Sequence, residues 1–167
     1  MYFRKTNNQD LEEVMKIING AKECFKEESI DQWQKGYPNK ETILKDICEE
    51  NGYVLLEGES VIATIAVTIG NDPVYDKIYK GKWLSKEEYA VIRRVAVSSN
   101  YKRRGVSSKI IGEVEKVCKK KGINNIKIVT HEMNIPMQNM LKKNKFIYCG
   151  IVYLEDGSKR MAFEKLI

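Results

Sequence analysis

A chain of 167 residues, 43% of them hydrophobic, suits one compact domain (1–167) with a sizeable core, and no uninterrupted apolar run reaches the ~20 residues that cross a bilayer. Met1–Asp10 is polar and lacks the apolar stretch of a secretory signal, so a cytoplasmic protein with no membrane partner is expected. Lys and Arg number 29 against 23 Asp and Glu, a formal charge of +6 that suits either a polyanionic cofactor or a nucleic acid; no RNA-binding or helix-turn-helix signature accompanies it, so no nucleic-acid partner is expected.

Tyr2–Lys5 is a short candidate strand. Leu11, Val14, Met15, Ile18, Ala21 and Phe25 recur at helical spacing, with Asn8 or Asp10 placed to cap. A polar stretch, residues 30–39, carries Trp33 and Tyr37. Asn39 caps a second helix that should turn Ile43, Leu44, Ile47 and Cys48 inward, with Asn51-Gly52 ending it. Tyr53–Leu56 and Val61–Thr68, parted by Gly58, read as a hairpin.

The connection from Gly70 to Glu88 is long and rich in Tyr, Trp and Lys, a length that points to a functional lid. Tyr89–Val97 is another strand, followed by the basic turn Ser98–Arg104. Val106, Ile110, Ile111, Val114, Val117 and Cys118 form a helical stripe closed by Gly122, and Lys119-Lys120-Lys121 in its last turn offset the helix dipole without any ligand. Ile126–Thr130 is an apolar strand. Asn134 caps a short helix through Asn144 that tolerates Pro136 in its first turn. Phe146–Leu154, Asp156-Gly157 and Arg160–Leu166 read as a terminal hairpin.

The order is β-α-α-β-β-β-α-β-α-β-β. The segment Tyr89–Thr130 is a βαβ unit whose helix is entered through a basic, glycine-bearing turn. Helix N-termini bind anions, because their first N–H groups have no intrahelical partner and the dipole favours negative charge. Cys24, Cys48, Cys118 and Cys149 are far apart and form no C-x-x-C pair, so no metal is expected and all four should be buried free thiols.

The stretch Val95-Ala96-Val97-Ser98-Ser99-Asn100-Tyr101-Lys102-Arg103-Arg104-Gly105-Val106-Ser107-Ser108 resembles the GNAT N-acetyltransferase superfamily, whose main motif is a strand, then Q/R-x-x-G-x-G/A, then a helix. Lys102 stands where Arg or Gln is usual, and Ser107 where the second Gly is usual. A second segment is similar to the family's N-x-x-A-x-x-L-Y-x-K-x-G-F, with Asn134, Met137, Met140, Leu141, Lys143, Lys145 and Phe146 in register. The resemblance implies an α/β (α+β) domain with a mixed, mostly antiparallel central sheet flanked by helices. It also implies a sheet splayed between Tyr89–Val97 and Ile126–Thr130 to leave a cofactor cleft.

The resemblance further implies acetyl-CoA as cosubstrate and direct transfer of its acetyl group to an amine acceptor. Arg103, Arg104, Gly105, Val106, Ser107 and Ser108, with Lys102, would cradle the pyrophosphate, mainly through backbone N–H groups. Val95, Ala96 and Val97 would pair by their backbone with the pantetheine arm as an added strand. Asn134 either bonds the pantetheine or only caps its helix. The family's usual Glu base falls at Arg93, which stays protonated and cannot be a base. Arg93 either holds an anionic group of the acceptor or makes a structural ion pair, with Glu87 and Glu88 the nearby carboxylates in sequence.

The usual thiolate-protonating Tyr is Leu141 here, leaving Tyr148 or Tyr153 to substitute or simply to pack. His131 or Glu132, at the carboxyl end of a core strand, is the candidate base, against a locally hydrogen-bonded His. Trp33 and Tyr37, with Tyr75, Tyr79 and Trp83, either wall the acceptor pocket or anchor their loops. The acceptor's identity and a homodimer stay open. A GNAT-like module that binds acyl-CoA without catalysis is the alternative.

Overall fold

The computed structural model describes residues 1–70 and 72–167; Asn71, inside the long connection, lies outside the described residues. The elements form in the predicted order: β1 (Tyr2–Lys5), α1 (Leu11–Glu27), α2 (Lys40–Cys48), β2 (Gly52–Glu57), β3 (Ser60–Ile69), β4 (Ala90–Val97), α3 (Val106–Lys120), β5 (Asn125–Thr130), α4 (Ile135–Lys143), β6 (Ile147–Tyr153) and β7 (Lys159–Leu166). The strands make a seven-stranded sheet in the order β1-β2-β3-β4-β5-β7-β6. Pairs β1–β2, β2–β3, β5–β7 and β6–β7 are antiparallel, and β4–β5 is parallel. The mixed, mostly antiparallel sheet is the one the motifs implied. Two compact units divide the chain: residues 1–67 with 93–113, and residues 68–92 with 114–167.

In the first unit, Val14, Ile17 and Ile18 of α1 meet Ile43, Val54, Leu56, Val61 and Ala96 in one apolar cluster. Helical spacing on α1 and strand alternation bring these side chains to one face. α1 starts directly after Asp10, one of the two expected cap positions, but no Asp10 side-chain bond caps it. Asn7 caps a short 3-10 turn by accepting the Gln9 N–H at 2.9 Å, and Asp10 completes that capping box by accepting the Asn7 N–H at 2.8 Å while it also grips Arg4 at 2.7 and 2.9 Å.

Asn39 caps α2 through the Thr42 N–H at 2.9 Å, as read from the sequence. The other end differs. The left-handed residue is Glu50 (φ 56), and Gly52 already opens β2. The buried face of α2 is Ile43 and Asp46, so Cys48 is exposed; on α1, Cys24 is only half-buried. Two of the four cysteines therefore correct the expectation of burial; Cys118 and Cys149 are buried, and all four are free. For Cys48 the reason lies in Asp46: Arg94 draws it inward, and a residue two positions further along a helix points elsewhere.

In the second unit, β4 pairs with β5 at Ala90–Ile126 and Val91–Lys127. Asn134 caps α4 by accepting the Met137 N–H at 3.1 Å. Gly122 (φ 74) closes α3, with the Ile123 N–H returning to Cys118 O at 3.0 Å. Lys127 and Glu164 face each other in the β5–β7 ladder, and both are buried. The Lys127 ammonium lies 3.7 Å from the Tyr89 ring centroid and 4.3 Å from that of Trp83. Burial lowers its pKa from the usual lysine range. Glu164 accepts the Leu84 N–H at 2.6 Å and the Asn125 side-chain amide at 2.9 Å.

The long connection is anchored. Tyr79 and Ile151 exchange backbone hydrogen bonds of 2.8 Å each, and Trp83 Nε1 donates to Tyr75 O at 2.9 Å. Glycine makes this approach feasible: a Cβ on Gly81 would sit 1.9 Å from the Cys149 carbonyl oxygen. Gly81→Ala should thus destabilise by about 3 kcal/mol, a Tm fall of roughly 6–12 °C in a thermal melt. Gly112→Ala is the control: a Cβ there, inside α3, meets nothing within 4 Å and should stabilise by ~0.5–1 kcal/mol. An unchanged Tm for Gly81→Ala would mean that the connection does not sit against β6.

Candidate functional site

Chain chemistry shapes the turn after β4. Ser98 N–H closes on Ile62 O at 2.9 Å, which ends the strand, and residues 99–101 make one 3-10 turn. The backbone then turns left-handed at Arg103 (φ 63) and again at Gly105 (φ 76), and α3 begins at Val106. Such alternation turns successive N–H groups toward one side, an anion-binding concavity, directly before a helix N-terminus. Lys102, Arg103, Arg104 and Gly105 are exposed, Val106 is buried, and Ser107 and Ser108 are half-buried. The space in front of Gly105 is open, since a Cβ there would meet no heavy atom within 4 Å.

Two basic side chains of the turn have protein contacts. Lys102 Nζ lies 3.0 Å from the Cys24 thiol on α1, and the Arg104 guanidinium stands 5.3 Å from the Tyr101 ring centroid. A hydrogen bond with Glu57 raises the Tyr101 hydroxyl pKa.

On β4, Val95 and Ala96 are buried and Val97 half-buried. Arg94 has a left-handed backbone (φ 53) inside the strand, so the strict alternation that would put Arg93 on one face with Val95 and Val97 is interrupted there. Arg93 is half-buried; burial, then the adjacent Arg94 charge, lower its pKa, while Tyr37 and Asp46 oppose the shift. Sequence reasoning missed Arg94. Its Nε and Nη2 reach the two carboxylate oxygens of Asp46 at 2.8 and 2.5 Å, and Nη1 donates to the Tyr37 hydroxyl at 2.5 Å. A second consecutive arginine in an otherwise apolar strand was the available signal. Trp33, also left-handed (φ 60), packs edge-on against Phe25 with centroids 5.5 Å apart.

A cavity of about 10 Å³ beside this network is lined by Thr6, Asp46, Gly52, Thr64 and Arg94, among others. That is room for about one water and far below a substrate.

His131, Glu132, Asn134 and Tyr148 belong to the second unit. His131 Nδ1 accepts the Met133 N–H at 3.1 Å, which leaves Nε2 to carry the hydrogen of the neutral ring. Glu132 bonds Lys159 at 2.9 Å, and that bond holds its carboxyl below the usual range. Asn134 uses its side-chain oxygen as the α4 cap. Tyr148 is 45% exposed, its ring edge-on to Phe163 at 5.6 Å. Leu141, at the place of the family tyrosine, is wholly buried. Among the described residues no cluster of three or more His, Cys, Asp or Glu is placed to hold a metal ion, and no helix is long and apolar enough to cross a membrane.

Residues 14–146 match the model of the acetyltransferase (GNAT) family. A GNAT-family acetyltransferase from Streptococcus agalactiae 2603 is 31% identical, with 99% of this chain and 95% of that one aligned at a TM-score of 0.91. The PaiA N-acetyltransferase from Thermoplasma acidophilum, solved in complex with coenzyme A, is 20% identical at a TM-score of 0.74, over 99% of this chain and 98% of that one. The ribosomal-protein-S18-alanine N-acetyltransferase from Escherichia coli is 13% identical at a TM-score of 0.68, over 99% and 93%. The last two are likenesses of fold. No curated protein sequence is significantly similar to the chain.

Proposed function

Because the chain belongs to the acetyltransferase (GNAT) family, we propose that it transfers the acetyl group of acetyl-CoA to a primary amine, by direct attack while both substrates are bound. The observation that carries this is the turn entering α3, left-handed at Arg103 and Gly105 and open in front of Gly105. Its chemistry fits a pyrophosphate: N–H donors at a helix start, flanked by Lys102, Arg103 and Arg104, with no carboxylate from Ser98 to Ser108. In this reading the amides of residues 103–108 bind the phosphates, and the backbone of Val95, Ala96 and Val97 aligns the pantetheine as an added strand. Asn134 assists from the start of α4. Rate acceleration comes mainly from holding thioester and amine together, with strand N–H groups polarising the carbonyl.

The proton must leave the attacking amine. His131 and Glu132 are the proposed acceptors, and Tyr148 the proposed donor to the leaving thiolate. Glu132, paired with Lys159, is the weaker base of the two. His131 would have to take a proton at Nδ1, displacing the Met133 N–H. Trp33, Tyr37 and Arg93 would border the acceptor. Residues 1–167 then act as one cytoplasmic domain.

These engaged base candidates, with Leu141 buried in the tyrosine's place, favour one second reading: a module that binds acyl-CoA without turnover. An amine panel read by free-thiol release, alongside calorimetric titration with acetyl-CoA, separates the two. Thiol release driven by at least one amine is the expected result. Binding without release by any amine supports the module, and absence of binding overturns both.

A further inference from the structure

We propose that Arg94 is a positioning residue that sets the acceptor side of the site by fixing the segment between α1 and α2 against β4. This rests on the reading of the chain as an acetyltransferase whose acceptor is bordered by Trp33 and Tyr37. The starting observation is an outlier. Arginine has no backbone reason to be left-handed inside a strand, yet Arg94 has φ 53 in the middle of β4. Such conformations persist where surrounding contacts over-determine them.

The contacts that do so are specific. The planar fork takes both oxygens of Asp46, which is 7% exposed on α2, and its remaining arm reaches the Tyr37 hydroxyl. One side chain thereby joins a strand, a helix and the intervening segment. Elsewhere the segment is held to α1 by Gln34 Nε2, which donates to Lys22 O at 3.0 Å, and by Lys22 Nζ, which donates to Pro38 O, while Trp33 packs on the apolar cluster of the first unit. Tyr37 is 44% exposed, so apolar burial holds it weakly. The doubly anchored Arg94 guanidinium holds that ring by its bond to the hydroxyl, with its Cζ 5.9 Å from the ring centroid. Arg93, the neighbouring residue proposed to meet the acceptor, leaves the strand beside this fixed point.

A brace that only stabilises the fold would lower Tm and leave the kinetics alone. A positioning role makes a different pattern, read with a turned-over amine from the panel. Tyr37→Phe should raise the acceptor KM roughly threefold to tenfold, the equivalent of one lost hydrogen bond. Its kcat and its Kd for acetyl-CoA should stay within about twofold, and its Tm within about 2 °C. Arg94→Gly relieves the left-handed backbone but strands the buried Asp46 carboxylate, so its kinetics are read below its own Tm, and Tyr37→Phe, which leaves the Arg94–Asp46 pair intact, is the variant that keeps a folded protein in hand. Arg94→Gly should raise the acceptor KM at least as far as Tyr37→Phe does, with Arg94→Lys failing to restore it.

The decisive measurement is the double variant Arg94→Gly with Tyr37→Phe. If Tyr37 acts through Arg94, its acceptor KM matches that of Arg94→Gly alone. Full additivity, or an unchanged acceptor KM in Tyr37→Phe, overturns the positioning role while leaving the acetyltransferase reading intact. A wild-type chain that neither binds acetyl-CoA nor releases thiol overturns both.

Discussion

Acetyl-CoA is expected to raise the Tm of the wild-type chain and to leave that of Gly105→Glu unmoved. A ligand that binds only the folded form at about 100 times its Kd contributes ~2.7 kcal/mol, roughly 5–10 °C for a chain of this size. Gly105 is the informative position because a Cβ there meets nothing within 4 Å, so the protein itself does not exclude a side chain. The change acts in two ways. Its φ of 76 strains any residue with a Cβ by about 1 kcal/mol, a modest fall in Tm without ligand. Its carboxylate stands where the phosphates are proposed to lie, and like charges repel at a site built for anions. The carboxylate also sits well with the α3 dipole, which offsets part of the strain and helps the variant fold. Differential scanning fluorimetry with and without acetyl-CoA is the measurement. An undiminished ligand shift in Gly105→Glu would remove the cradle from the turn.

Arg93→Ala is expected to lower kcat/KM roughly tenfold to a hundredfold through the acceptor KM, with acetyl-CoA affinity nearly unchanged. Where relatives carry a glutamate base, this chain carries a cation, and a guanidinium stays charged even when burial and Arg94 lower its pKa. Its proposed partner is an anionic group of the acceptor, a charge-assisted bond that contributes about 1.5–3 kcal/mol. Arg93→Lys should recover only part of the loss, because a lysine keeps the charge without the planar fork. Steady-state kinetics with the acceptor varied at saturating acetyl-CoA separates this from a structural ion pair. In that case Tm falls and the acceptor KM stays where it was.

The two arginines of β4 mark the boundary between what local sequence carries and what it does not. Asn39 and Asn134 were legible as caps because each bonds an N–H only three residues ahead. The turn Ser98–Ser108 was legible for the same reason: strand end, left-handed glycine and helix start are contiguous, so the residues that name the family also build its geometry. Element order followed from periodicity, because a buried face repeats every two or every 3.6 residues whatever it packs against.

Tertiary structure decided the rest. Asp46 reads as one more polar helix position until Arg94, forty-eight residues on, draws it inward and leaves Cys48 in solvent. Glu164 reads as a strand residue until Leu84, eighty residues back, donates to it and ties the long connection to β7. Gly81 looks like ordinary loop flexibility, yet it is required by the Cys149 carbonyl. The first two rest on a buried polar group finding its partner across the fold and the third on a close backbone approach, and contacts of that kind leave no period in the sequence. The family and the conformation of the turn that enters α3 were therefore readable from the chain itself. The placement of the residues proposed to meet the acceptor depends on side-chain contacts between segments far apart in sequence, which form only once the chain has folded.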